Sequence, residues 1–135
     1  MSVRLGTRIS MLRILIVDDD RNMRELLSLH LRSAGYEVET AEDGIAAGYA
    51  VLYQQPDLII CDVFMPHMSG FEFVAALRSD PAQQNVPVIF LTTSVEGEAR
   101  GRELGAVGYL RKPVRADALL SFIADKVQGG LVPLR

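Results

Sequence analysis

The chain has 135 residues and a formal net charge of −3, its 14 basic and 17 acidic residues spread along its length. That is one domain's worth of chain, long enough to bury a core without staples. Its mixed charge excludes a basic nucleic-acid footprint and a polybasic membrane anchor. A hydrophobic share of 49% beside 23% charged residues is that of a folded globular domain, neither disordered nor fibrous.

Residues 1–11 carry two arginines and no regular pattern, and are expected to form a short leader without function of its own. Met11 directly precedes the first strand, so the leader is either an upstream start or a short added arm. Leu12 to Val17 is rich in branched apolar residues and predicts a strand, stopped by Asp18-Asp19-Asp20. Arg21 to Ala34 has helical spacing, with Met23, Leu26, Leu27, Leu31 and Ala34 on one side, Asp20 as N-cap and Gly35 as C-cap. Tyr36 to Ala41 alternates, as a half-exposed edge strand does. Asp43 to Gln54 predicts a second helix, apolar at Ile45, Tyr49 and Leu52 and ended by Pro56.

Leu58 to Cys61 is a continuous apolar run that ends abruptly at Asp62, followed by Met65-Pro66 and Gly70. A short run of this kind is a strand buried on both faces, as in parallel sheets. Gly70 to Ser79 predicts a third helix on Phe71, Phe73, Val74 and Leu77. Val88 to Leu91 predicts a fourth strand that runs into Thr92-Thr93-Ser94. Gly97 to Leu104 is a glycine-interrupted helix of low intrinsic stability. Val107 to Leu110 is a brief fifth strand ending at Arg111-Lys112-Pro113. Arg115 to Gln128 is a last helix with Leu119, Leu120, Ile123 and Val127 inward, and residues 129–135 form a C-terminal tail with no room for a second domain.

Five strands alternating with five helices predict a doubly wound α/β domain over residues 12–128, with a five-stranded parallel sheet. The expected strand order is the flavodoxin-like 2-1-3-4-5, which places the alternating strand at an edge. In that order, four strand ends bring Asp18 and Asp19, Asp62, Thr92 and Lys112 to one rim. Any one of them could be a turn residue; three acids, a hydroxyl and a lysine on one crevice are poorly explained that way.

Two carboxylates about 4 Å apart repel by roughly 4 kcal/mol at an effective dielectric of 20, so such a cluster protonates, recruits a cation or spreads. An all-oxygen site of few carboxylates suits Mg²⁺. A metal on Asp19 and Asp62, with Asp18 in support, would also neutralise an arriving phosphoryl group. Lys112 is a positive charge for that group's other side, and the Thr92 hydroxyl a donor to one of its oxygens. Together these residues fit phosphoryl transfer onto the Asp62 carboxylate.

Ile16-Val17-Asp18-Asp19, Cys61-Asp62 with Met65-Pro66 and Gly70, Leu91-Thr92-Thr93 and Tyr109-Leu110-Arg111-Lys112-Pro113 occur in this order and spacing. The combination resembles the receiver domain of two-component response regulators, from Leu12 to Gln128. The resemblance implies a stand-alone receiver in which Asp62 accepts phosphate from a histidine of a sensor kinase or phosphotransfer protein. It implies Mg²⁺ on Asp18, Asp19, Asp62 and the backbone carbonyl of Phe64, with Lys112 and Thr92 sensing the phosphoryl group and Tyr109 as aromatic switch. It also implies a downstream protein target, no enzyme activity beyond self-phosphorylation and dephosphorylation, and a cis bond before Pro113. Two departures stand out. The segment from Thr92 to Lys112 is shorter than the family's pattern, around a glycine-rich fourth helix. Phe64 and Ser94 occupy positions that in the family tune phosphoryl lifetime.

Other readings are weaker. A flavin- or nucleotide-binding protein on this fold needs a Gly- or Ser/Thr-rich phosphate loop after the first strand, where this chain has three acids. A metal-dependent phosphatase commonly carries a second acid two residues after the first, where Phe64 stands. A degenerate receiver acting as scaffold would not retain every expected site residue. Cys61 reads as a small buried residue and suits a reducing compartment. His67 reads as an exposed loop residue, His30 lacks partners at useful spacing, and Phe122 packs on a neighbour. No apolar run approaches the ~20 residues of a membrane span. With no secretory signal, a cytoplasmic protein is expected, with no direct contact to nucleic acid or membrane.

Overall fold

A computed structural model describes residues 11–94 and 96–134; the leader expected over residues 1–11 lies, except for Met11, outside the described residues. The strands are β1 Arg13–Val17, β2 Glu37–Ala41, β3 Leu58–Asp62, β4 Val88–Thr92 and β5 Gly108–Arg111. The helices are α1 Arg21–Ser33, α2 Gly44–Tyr53, α3 Gly70–Arg78, α4 Glu98–Glu103 and α5 Ala116–Gln128. All strand pairs are parallel and the order is β2-β1-β3-β4-β5.

The pleat divides the central strands between two cores. Leu15, Val17, Ile59, Cys61, Val88 and Phe90 face the side covered by α2 and α3. Ile14, Ile16, Leu58, Ile60, Ile89 and Leu91 face the side covered by α1 and α5. Burial on both faces makes β3 and β4 uniformly apolar until their last residues, Asp62 and Thr92. The register pairs Val17 with Cys61, Asp62 with Leu91, and Thr92 with Arg111, so the polar strand ends fall at one rim.

Two helix faces differ from the periodicity reading. On α2 the inward residues are Gly44, Ala47 and Val51, while Ile45, Tyr49 and Leu52 are exposed. Small residues let this helix lie close: a Cβ on Gly44 would sit 2.7 Å from the Met68 sulfur. On α1 the buried residues are Leu27, Ser28 and Leu31, and Leu26 and Ala34 face solvent. Phe122 packs against the α1–α5 core, its ring so close to Gly108 that a Cβ there would meet it at 2.5 Å.

Residues after α5 fold back onto the domain. Leu131 packs against the α5 side of the core, and the Leu134 amide donates to the Ala106 carbonyl at 2.7 Å.

Candidate functional site

β1 runs out at Val17, and the Asp18 amide still donates to Ala41 of the neighbouring edge strand at 3.1 Å. Asp18 is thereby held at the rim with its side chain 1% exposed. One carboxylate oxygen accepts the Asp20 amide at 2.9 Å, and the other lies 3.0 Å from the Lys112 Nζ. Asp20 turns the other way and caps α1, accepting from the amides of Asn22 and Met23 at 2.9 and 3.3 Å. That carboxylate fills the helix N-terminus which a flavodoxin-type phosphate would need.

Asp62 ends β3, where the chain turns at once into the loop leading to α3. The Val63 amide donates to Leu91 and the Gly70 amide to the Val63 carbonyl, at 3.0 and 2.8 Å. A Cβ on Gly70 would lie 2.2 Å from the Asp62 carbonyl oxygen, so only glycine lets α3 start this close to the strand end. α3 is fixed there by a capping box, with the Ser69 hydroxyl accepting the Glu72 amide and Glu72 accepting the Ser69 amide. The loop between holds Phe64, 58% exposed, and His67, exposed with φ 71°.

Lys112 reaches the rim from beyond β5. Its amide donates to the Thr92 carbonyl at 2.6 Å, and the Lys112–Pro113 peptide is cis. Its Nζ lies 3.0 Å from Asp18 Oδ2 and 3.2 Å from Asp62 Oδ2, bridging the two carboxylates. Asp18, Asp19 and Asp62 each present a carboxylate oxygen within 4.8 Å of the others. One lysine thus faces three acids, and the pocket keeps a negative surplus.

The electrostatics follow. Burial raises the Asp62 carboxyl, Lys112 opposes it, Asp18 raises it further, and the Phe64 amide opposes; the result is a value of about 6. For Lys112, burial works against the charge, but hydrogen bonds and charges from Asp18 and Asp62 outweigh it and hold the ammonium above its ordinary value. Burial first, then the charges of Asp62 and Asp18, push the Cys61 thiol up, which leaves it an inert core group.

Thr92 is fully buried at the end of β4, its hydroxyl oxygen accepting the Ser94 amide at 3.2 Å. Tyr109 on β5 is half-buried, its hydroxyl donating to the Glu96 carbonyl at 3.3 Å. Its ring has room because Gly101 of α4 has no side chain: a Cβ there would come within 3.1 Å of it. The structure therefore brings Asp18, Asp19, Asp62, Thr92 and Lys112 to one rim and sets Tyr109 behind Thr92. His30 and His67 stand apart. One contact had no sequence signal: Arg24 Nη1 donates to the Asp18 carbonyl at 2.7 Å, bracing the acidic turn from α1.

An acidic, lysine-bridged rim on a 2-1-3-4-5 parallel sheet defines the receiver class of signalling domains, and comparison with known proteins agrees. The model of the response regulator receiver domain matches residues 14–124, and the chain belongs to that family. It is 38% identical over 111 residues to the DNA-binding dual master transcriptional regulator RpaA of Synechocystis, covering 81% of this chain and 46% of that one. It is 40% identical over 111 residues to the response regulator MprA of Mycobacterium sp. strain KMS, covering 81% and 47%. The chain thus spans about half the length of the curated relatives it matches.

Among solved structures, the chemotaxis protein CheY4 of Vibrio cholerae superposes with a TM-score of 0.80 at 42% identity, covering 86% of this chain and 98% of that one. A CheY-like receiver domain protein from Methanospirillum hungatei superposes with a TM-score of 0.79 at 31% identity, covering 89% and 96%. Among the described residues, no helix is long and apolar enough to cross a membrane.

Proposed function

We propose that this chain is a phosphorylation-driven signalling module in which Asp62 is the phosphoacceptor, residues 12–128 forming the receiver unit. The observation that carries the reading is the Lys112 ammonium bridging Asp18 and Asp62 at 3.0 and 3.2 Å on an otherwise acidic rim. The donor is a phosphohistidine of a sensor kinase or phosphotransfer protein. In the transfer, the N–P bond of the phosphohistidine breaks, an Asp62 oxygen forms the new P–O bond, and the imidazole leaves.

The donor set fits Mg²⁺: every available ligand is an oxygen, and the three carboxylates exceed the charge that Lys112 can balance. Asp18, Asp19, Asp62 and the Phe64 carbonyl would hold the ion, which when bound supplies positive charge to the phosphoryl oxygens. Asp62, at about 6, is mainly ionised at neutral pH and therefore nucleophilic. Lys112 supplies the protein's own positive charge beside the Asp62 carboxylate. Thr92 sits at the next strand end, its hydroxyl proton available for a phosphoryl oxygen. A Thr92 hydroxyl drawn toward that oxygen opens space on its other side for Tyr109, biasing the segment from Thr92 to Lys112 between two arrangements. That segment is the face we assign to a downstream protein target, with onward transfer to a histidine as the alternative exit for the signal.

Incubation with a small acyl-phosphate donor in Mg²⁺ is the direct test. The wild-type chain should acquire one phosphoryl group, and Asp62→Asn or removal of divalent ions should abolish the labelling. Label persisting on Asp62→Asn would move the acceptor elsewhere. Phe64 adds a second expectation. Its exposed ring lies two residues beyond Asp62 in the same loop, and we infer that it screens the acyl phosphate from water. Self-dephosphorylation should be several-fold faster in Phe64→Asn; equal rates in a decay assay would remove this role.

A further inference from the structure

Of the five helices, α2 is the one whose residues, Gly44 to Tyr53, include no charge. A helix apolar all round is ordinarily covered all round. Here the core takes Gly44, Ala47 and Val51, while Ile45, Tyr49, Leu52 and Tyr53 are 57 to 89% exposed. A contiguous apolar patch of this kind marks a contact surface.

The patch has relief. Ile45, Tyr49 and Tyr53 follow at i, i+4 spacing and form a raised row. The neighbouring row begins with two glycines, Gly44 and Gly48, and ends at Leu52. It borders a concavity of about 350 Å³ between α2 and α3, with Ala76 and Leu77 on the far side. Gly48 is a second sign. Nothing lies within 4 Å of a Cβ built there, so no packing within the chain requires a glycine. Glycine inside a helix is less stable than alanine; what its missing side chain provides is the depth of this depression.

We propose that α2 is the contact face of a homodimer, two copies packing α2 on α2 about a two-fold axis. A two-fold interface carries knob and hole on the same patch, because each copy presents the same surface. The row Ile45, Tyr49, Tyr53 and the depression at Gly48 lie side by side, so each copy's row enters the other's depression. Interdigitated i±4 rows cross at about 50°. A different protein would need only one of the two features. Charge favours the same occupant. Copies of a chain with net charge −3 repel at long range, and the uncharged α2 face is where they meet without opposing like charges. Asp80, the one charged residue lining the concavity, accepts the Ala82 amide at 2.9 Å. The four exposed side chains offer roughly 500 Å² per copy. A pair then buries about 1,000 Å², the lower limit for a specific interface, and its affinity is micromolar rather than nanomolar. None of this depends on the phosphoacceptor reading.

Sedimentation equilibrium of the full, unphosphorylated chain from about 5 µM to about 1 mM is the test. A dimer should appear within that range and nothing larger, since a two-fold contact closes on itself. Tyr49→Lys and Leu52→Lys alter exposed side chains outside the core, and each should weaken dimerisation at least about tenfold. Gly48→Ala fills the depression and should weaken it severalfold with no loss of monomer stability. Leu29→Lys, which charges an exposed leucine on α1, should leave it unchanged. A chain that stays monomeric throughout would overturn the proposal and leave the face to a different partner. A dimer that survives both α2 lysine substitutions would place the contact elsewhere and overturn it too. So would an equal loss in Leu29→Lys, full affinity in Gly48→Ala, or growth beyond the dimer.

Discussion

Gly70→Ala is expected to destabilise the domain by about 3 kcal/mol, at the upper end of ordinary overpacking, and to impair phosphoacceptance with it. The added methyl would sit 2.2 Å from the Asp62 carbonyl oxygen and 3.1 Å from the Cys61 sulfur. The first of these is backbone at the end of a central strand and cannot swing aside. Either α3 lifts off its capping box or the end of β3 moves, and the second outcome displaces the Asp62 carboxylate from Lys112. Gly48→Ala is the control, since nothing lies within 4 Å of a Cβ there and alanine is the better helix former. Chemical denaturation compares the two, and phosphodonor labelling under native conditions reads the site. A Gly70→Ala protein as stable as the parent would mean that the strand end is far softer than its packing implies.

The same glycine shows how the sequence could be read and where reading stopped. Strands buried on both faces are uninterrupted apolar runs, so a polar residue ending one is visible without a structure. Asp62 and Thr92 are such residues, and the sheet order then puts Asp18 and Lys112 beside them. Gly70 was legible as a turn glycine following Met65-Pro66, but not as the residue that a neighbouring carbonyl forbids from being anything larger. Such a restriction depends on a distance between two elements, which no pattern along the chain encodes.

The faces of α2 illustrate a second limit. From Gly44 to Tyr53 the helix contains only glycine, alanine and larger apolar or aromatic residues. Its pattern carries no amphipathic phase, and size decides instead which side meets the sheet. The small side goes in, leaving Tyr49 and Leu52 more than two-thirds exposed. On α1 the failure is of another kind: a serine takes an inward position and leucines at 26 and 29 face out. At the acidic rim, the identities of the residues were legible, but which two acids share Lys112 was not. That choice follows from Asp20 turning away to cap α1, leaving Asp18 to point inward.

In the absence of divalent ions, Asp62→Asn is expected to stabilise the protein by about 1 to 3 kcal/mol at about pH 7, a gain that vanishes by about pH 4. The folded chain holds the Asp62 carboxyl at about 6, against 3.8 for the free group, chiefly through burial and with the charge of Asp18 adding to it. A raised carboxylate value means that the folded state binds this proton more tightly than the unfolded state does. Raising pH from about 4 to about 6 therefore removes stability, because the proton must leave a buried group. At about 1.4 kcal/mol per unit, the full shift corresponds to about 3 kcal/mol, and relaxation of the rim in the ionised state reduces it. Asparagine keeps the shape and can still accept from Lys112 and the Phe64 amide, yet it never carries the charge, so its stability lacks this slope. Below the unfolded-state value, Asp62 is protonated whether folded or not, and the two proteins converge. Added Mg²⁺ should narrow the gap from the other side, by stabilising the wild-type carboxylate that asparagine cannot replace. Urea denaturation across this pH range, with and without Mg²⁺, reads all three effects. A variant no more stable than wild type near neutrality, or one whose advantage is flat in pH, would mean that the rim tolerates its own charge and needs no cation to balance it.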